Sequence, residues 1–194
     1  MLDTQSANLQ NLSKLLAGAL LKNEGYLEAL GVVRANSRGQ IWLIGGGVYK
    51  TLLSLLYGGH LKTKDWDFIV EKMAEPLKLE GDWAVSLSRF GCPKLKKSNL
   101  AIDLIPLDNI HSVQVRGLEP DIQNYLSGTP FTIQSIAFDV DASLLIGDVG
   151  IKSLKTRTIG VNNEGEYRYA RDMYGELYTP SHWADDLGLS AVKQ

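Results

Sequence analysis

The sequence predicts an α/β (α+β) fold, a mixed β-sheet with flanking helices. Three observations predict it. Residues 40–71 read in turn as a strand, a glycine turn, a helix and a second strand. Short apolar runs recur downstream, at 98–104, 131–138 and 144–146. Leucines at helical spacing mark the first twenty residues. With 194 residues, 44% hydrophobic and 22% charged, the chain is long enough for one domain with a real core and has a globular composition.

Leu9, Leu12, Leu15, Leu16 and Leu20 predict an amphipathic helix over 7–21, and a shorter helical pattern covers 26–33. Asn36-Ser37-Arg38-Gly39 reads as a turn. The apolar run 41–44 is a buried strand, broken by Gly45-Gly46-Gly47. Apolar residues at 48, 49, 52, 53, 55 and 56 predict a buried helix over 48–57, which Gly58-Gly59 ends. Residues 65–70 form the next strand. Pro76 argues against one helix over 72–91, and 83–87 reads as a strand. Strands are expected at 98–104, 131–138 and 144–146, with Asp139-Val140-Asp141 as a turn. Residues 120–126 predict a helix and 149–154 a helical turn. Asn162-Asn163-Glu164-Gly165 marks a boundary, after which Tyr167, Ala170, Tyr174 and Leu177 fall on one helical stripe. The expected organisation is a helical segment (1–38), a core (39–160) and a tyrosine-rich helical segment (161–194).

The bulk chemistry excludes several classes. A net charge of −2 gives no general attraction to polyanions, so any nucleic-acid contact needs a local basic patch. Lys94, Lys96, Lys97 and Arg89 are the one dense basic cluster, read here as a solvated hairpin tip. The single cysteine, Cys92, permits no internal disulfide. The three histidines lack zinc-ligand spacing. The first residues carry no signal-peptide pattern and no apolar run reaches membrane length, so a cytoplasmic protein without a membrane span is expected.

The chemistry concentrates in 40–71. Residues i and i+2 of a strand face one side, so Asp65 and Asp67 project together while Trp66 points into the core. Paired carboxylates repel one another and call for cations. Two Mg2+ ions about 4 Å apart suit such a pair, with Mn2+ as the alternative. A third carboxylate on a neighbouring strand completes the site. Asp103 is the candidate, an isolated charge in an apolar strand, and Asp108 is the fallback. The glycines fit neither a Walker A turn, which needs glycine where Ile44 and Tyr49 stand, nor a dinucleotide turn, which needs it at Lys50. The remaining reading is a turn whose N–H groups receive phosphate at a helix N-terminus.

Leu43-Ile-Gly-Gly-Gly-Val-Tyr-Lys-Thr-Leu-Leu and Lys64-Asp-Trp-Asp-Phe-Ile-Val together resemble the opening of the polymerase-β-like nucleotidyltransferases. The likeness is nearest to the head domain of CCA-adding enzymes and bacterial poly(A) polymerases. A weaker match continues through Phe131-Thr-Ile-Gln-Ser-Ile-Ala-Phe-Asp and Leu145-Ile-Gly-Asp-Val-Gly. The resemblance implies a nucleotidyltransferase fold and NMP transfer from an NTP with release of pyrophosphate. It implies Gly45 and Gly46 at phosphate, with Lys50 beside them, and Asp65 and Asp67 on metal. Asp103 joins them as third carboxylate by strand order. The acceptor is left open among an RNA end, a small molecule and a protein, and so is the oligomeric state. The family's Arg-Asp after the glycine turn is here Tyr49-Lys50. Its Arg-Arg-Asp is here Gly128-Thr129-Pro130, and Gln134 replaces its asparagine. These departures imply an alternative, a non-catalytic module of the same fold that binds a nucleotide or a partner.

Overall fold

The computed structural model describes residues 2–63 and 65–192, and the side chains of the first helix from residue 9 onward. Lys64, which opens the second resemblance segment, lies outside the described residues. The chain divides into two compact units, residues 1–110 with 137–145, and residues 111–136 with 146–194.

The first unit is built on a mixed sheet. Its elements are α1 (Leu2–Leu20), α2 (Glu24–Ala35), β1 (Ser37–Ile44), α3 (Gly46–Tyr57), β2 (Trp66–Met73), β3 (Ala84–Leu87), β4 (Pro93–Lys97) and β5 (Leu100–Pro106). After the second unit's first segment come β6 (Ala137–Asp139) and β7 (Leu144–Ile146). The seven strands run in the order β3-β4-β5-β2-β1-β6-β7. β2 and β5 are parallel, while β1–β2, β1–β6, β3–β4 and β4–β5 are antiparallel.

Alternation along the strands sorts the two faces. Trp66, Phe68, Leu95, Ile102 and Leu104 are buried, whereas Asp67, Lys94 and Asp103 alternate with them. α2 packs on β1, β2 and β5, and its Tyr26 ring meets Trp66 edge-on at 5.4 Å. α1 covers α3 with Leu12, Leu16 and Leu20, all buried; Leu15 of the expected stripe is exposed.

Two expectations shift here. The turn at 36–39 is shorter than read, because β1 already begins at Ser37. A bulge between Arg38 and Ile41 lets pairing with β2 start early. Gly39 sits there at φ +77, and the Glu71 carboxylate accepts the Gln40 N–H at 2.9 Å. The residue that ends α2 is Asn36, fully buried. Its amide donates to the Val32 carbonyl at 2.8 Å and the Lys78 carbonyl at 2.9 Å, and its Oδ1 accepts the Lys78 N–H. Asn36→Ala leaves the Lys78 N–H and carbonyl without these partners. It is expected to cost about 1–3 kcal/mol in chemical denaturation. A loss below about 0.5 kcal/mol, the range of an ordinary surface change, would remove Asn36 from the framework.

The second unit is mainly helical: α4 (His111–Gln114), α5 (Ile122–Ser127), α6 (Asp148–Thr156), α7 (Glu164–Tyr174) and α8 (Pro180–Leu187). A short parallel pair, β8 (Thr158–Ile159) with β9 (Ser190–Ala191), joins them. Phe131 is fully buried at its centre, with the rings of Tyr178 at 4.9 Å, Trp183 at 5.0 Å and Tyr167 at 5.7 Å. The tyrosine-rich segment is helical and packs through Tyr167, Ala170, Tyr178 and Trp183, while Tyr174 and Leu177 of the expected stripe are exposed and Leu177 lies beyond α7. The strand expected over 131–138 is corrected. Thr132–Gln134 is a 3-10 turn, closed by a bond from the Phe131 N–H to the Gln134 side chain, and only Ala137–Asp139 pairs as a strand. Its alternating apolar residues point into a core without a neighbouring strand to pair over most of their length.

Candidate functional site

The site residues predicted in 40–71 and at 103 all lie in the first unit. β1 delivers the chain to Gly45, the N-cap of α3, with φ +65 and ψ −148. Only glycine is at ease in that region. A Cβ there would meet the Asp67 Oδ2 at 2.6 Å, so the turn and the carboxylate touch. Ile44, the last residue of β1, stands opposite Asp67 in the ladder. Gly46 opens α3 beside the aliphatic stem of Lys50, whose charge acts on Asp67.

Asp67 stands directly opposite Asp103 in the parallel β2–β5 pair, and Asp103 directly opposite Lys94 in the β4–β5 pair. One row of the sheet thus carries Asp67, Asp103 and Lys94 side by side. Asp65 precedes the strand and is exposed. Burial pushes the Asp67 carboxyl up to about 7; the charges of Asp65 and then Asp103 add to the rise, and Lys94 and Lys50 oppose it.

The fit to a divalent cation is good at one end of the row and poor at the other. Asp65 and Asp67 offer oxygen donors whose mutual repulsion a cation relieves. Asp103 does not wait for one, because its Oδ2 accepts a hydrogen bond from the Lys94 ammonium. Among the described residues no group of three His, Cys, Asp or Glu side chains is arranged to hold a metal ion. Asp108 lies beyond the strand, in the 3-10 turn Leu107–Asn109.

Sequence reasoning missed Lys94. Read within its basic cluster it looked like part of a hairpin tip, but the tip lies at residues 88–92 and Lys94 and Lys96 lie on β4. The signal was available in the alternation of Pro93, Lys94, Leu95 and Lys96, two buried and two exposed. It needed the β4–β5 register to acquire meaning.

The departures from the resemblance have structural uses. Tyr49 is buried. In the second unit Thr129 is buried, and its hydroxyl donates to the Leu126 or Phe131 carbonyl and receives the Asn162 amide at 3.1 Å. Gln134 closes its own turn.

No protein-family model and no curated protein matches the chain. Solved structures do. A CCA-adding enzyme in complex with CTP superposes with a TM-score of 0.56 at 22% identity, over 81% of this chain and 38% of that one. A tRNA nucleotidyltransferase complexed with a primer tRNA and an incoming ATP analog gives 0.54 at 20%, over 79% and 44%. A tRNA-processing enzyme with CTP gives 0.52 at 19%, over 79% and 40%. The chain spans about two fifths of the length of these proteins. At these identities the likeness is one of fold: this chain resembles the nucleotidyltransferase fold of CCA-adding enzymes, as residues 43–53 and 64–70 imply.

Proposed function

We propose that the chain is a metal-dependent nucleotidyltransferase that transfers NMP from an NTP to an acceptor. The observation that carries this reading is the register that sets Asp67 against both the Gly45 turn and Asp103. A nucleotide-receiving helix N-terminus and two carboxylates on adjacent strands then share one place. The fold likeness supports the same reading.

In this reading Gly46 and the first turn of α3 receive the triphosphate through backbone N–H groups, with Lys50 as a point charge beside it. Asp65 and Asp67 would hold the divalent cation, Mg2+ or Mn2+. When bound, that cation supplies charge neutralisation for the triphosphate and for the leaving pyrophosphate. The acceptor hydroxyl oxygen forms the new bond to the α-phosphorus, and the bond from that phosphorus to the β-phosphate bridge breaks. Pyrophosphate leaves with the bonding electrons, and Asp103 takes up the acceptor proton. Among the described residues no helix is long and apolar enough to cross a membrane, and a cytoplasmic place fits an enzyme fed by NTPs.

Ligands that bind the native state raise stability by mass action. The protein is expected to melt higher with at least one NTP in the presence of Mg2+, and not with the NTP and EDTA. A shift without turnover on RNA ends, small molecules or proteins would favour the non-catalytic module instead. No shift with any of the four NTPs would remove the nucleotide site.

A further inference from the structure

Asp67, Asp103 and Lys94 occupy directly opposed positions on three neighbouring strands. Opposed residues share a face, so Lys94 belongs to the carboxylate row by backbone register, independent of its side-chain rotamer. Its ammonium donates to Asp103 Oδ2. The Asp103 side chain is only 22% exposed. A divalent ion bridging Asp67 and Asp103 would have to displace the ammonium or lie against it, and like charges that close repel strongly. The residues present therefore suit one divalent ion at the Asp65–Asp67 end and no second one at Asp103.

We propose that Lys94 is a built-in cation of this site, paired with Asp103 so that Asp103 does not take up a second divalent ion. The inference rests on the nucleotidyltransferase reading. Its consequence is charge: Lys94, Lys50 and one divalent ion already supply enough positive charge for the three carboxylates. A second divalent ion would leave the empty site with excess positive charge. Lys94 is thus a positioning residue. It holds the Asp103 Oδ2 on the β4 side of the row.

The test is a Mn2+ titration of the full chain without nucleotide, with free ion counted by electron paramagnetic resonance. Wild type is expected to bind one ion. Lys94→Gln removes the charge and is expected to admit a second ion, or to tighten Mn2+ binding about tenfold. Lys94→Arg keeps a cation opposite Asp103 and is expected to stay at one. Lys96→Gln, on the same strand face but opposite Ala101, is expected to change nothing. Two ions on the wild type overturn the proposal even if Lys94→Gln fails to fold, and so does an unchanged count and affinity in a folded Lys94→Gln. In both cases the metal site itself would stand. No Mn2+ on the wild type, with no change on Asp67→Ala, would overturn the metal-dependent reading as well.

Discussion

Asp67→Ala is expected to abolish the proposed NMP transfer and, without metal, to make the protein more stable above pH 7 than the wild type. Both halves follow from one carboxylate. Asp67 touches the Gly45 turn, faces Asp103 across the ladder and feels Asp65. Even an outer-shell partner of a metal ligand is worth about 10–100-fold in activity or affinity. Loss of the ligand itself should exceed that range. Stability moves the other way because burial, then Asp65 and then Asp103 raise the Asp67 pKa from 3.8 to about 7. A folded pKa above the unfolded one means that the native state holds its proton longer. The associated stability is present below about pH 4 and is lost as pH rises toward 7. Metal-free wild type should therefore weaken across that window, by on the order of a few kcal/mol. Asp67→Asn, which keeps the shape without the charge, should lack that fall. Urea denaturation at pH 5 and pH 8 in EDTA checks the sign, and pyrophosphate release checks the activity. An active Asp67→Ala protein would end the catalytic reading. A wild type that gains stability between pH 5 and 8 would end the electrostatic one.

The glycine turn is written in local sequence and can be read there; the placement of the carboxylates is written in strand register and cannot. Gly45 after an apolar run, followed by a helical pattern, specifies the turn without outside help. Asp65 and Asp67 at i and i+2 predict a shared side of one strand, but β2 begins at Trp66, so Asp65 stands ahead of it. Asp103 was legible only as an anomaly, a charge among Leu100, Ile102, Leu104 and Ile105. Its place opposite Asp67 depends on β5 joining β2 in parallel, a pairing no single strand declares. Lys94 joins the row only through a further pairing, β4 with β5. The same physics explains the lost strand at 131–138. Alternation shows that a segment buries every second side chain, but not that a neighbour is present to pair its backbone. There the partner of Phe131 is a cage of aromatic rings, and its one ladder contact is an isolated bridge to Val161.

The other large effect expected is at two adjacent glycines that sequence alone treats alike. Gly45→Ala should destabilise the protein by about 1–3 kcal/mol, the cost of a residue held where its backbone is strained. It should also remove the metal-dependent stabilisation. At φ +65 and ψ −148 a side chain is strained before any contact is counted. The new methyl would then meet the Asp67 carboxylate at 2.6 Å, too close for either group to stay. The turn can relax only by moving off Asp67, or Asp67 by turning away from the turn and from Asp103. Gly46→Ala meets the flexible Lys50 side chain, Cδ at 3.4 Å and Nζ at 3.8 Å, in a helical position where alanine is preferred to glycine. It should fold at least as well as the wild type. Thermal melts of the two variants with and without Mg2+ separate the causes. If Gly45→Ala melts like Gly46→Ala and keeps its response to metal, the turn does not brace Asp67. If Gly45→Ala alone loses stability and metal response together, the close approach of turn and carboxylate is what builds the site, and the glycine is there for Asp67 as much as for the chain's change of direction.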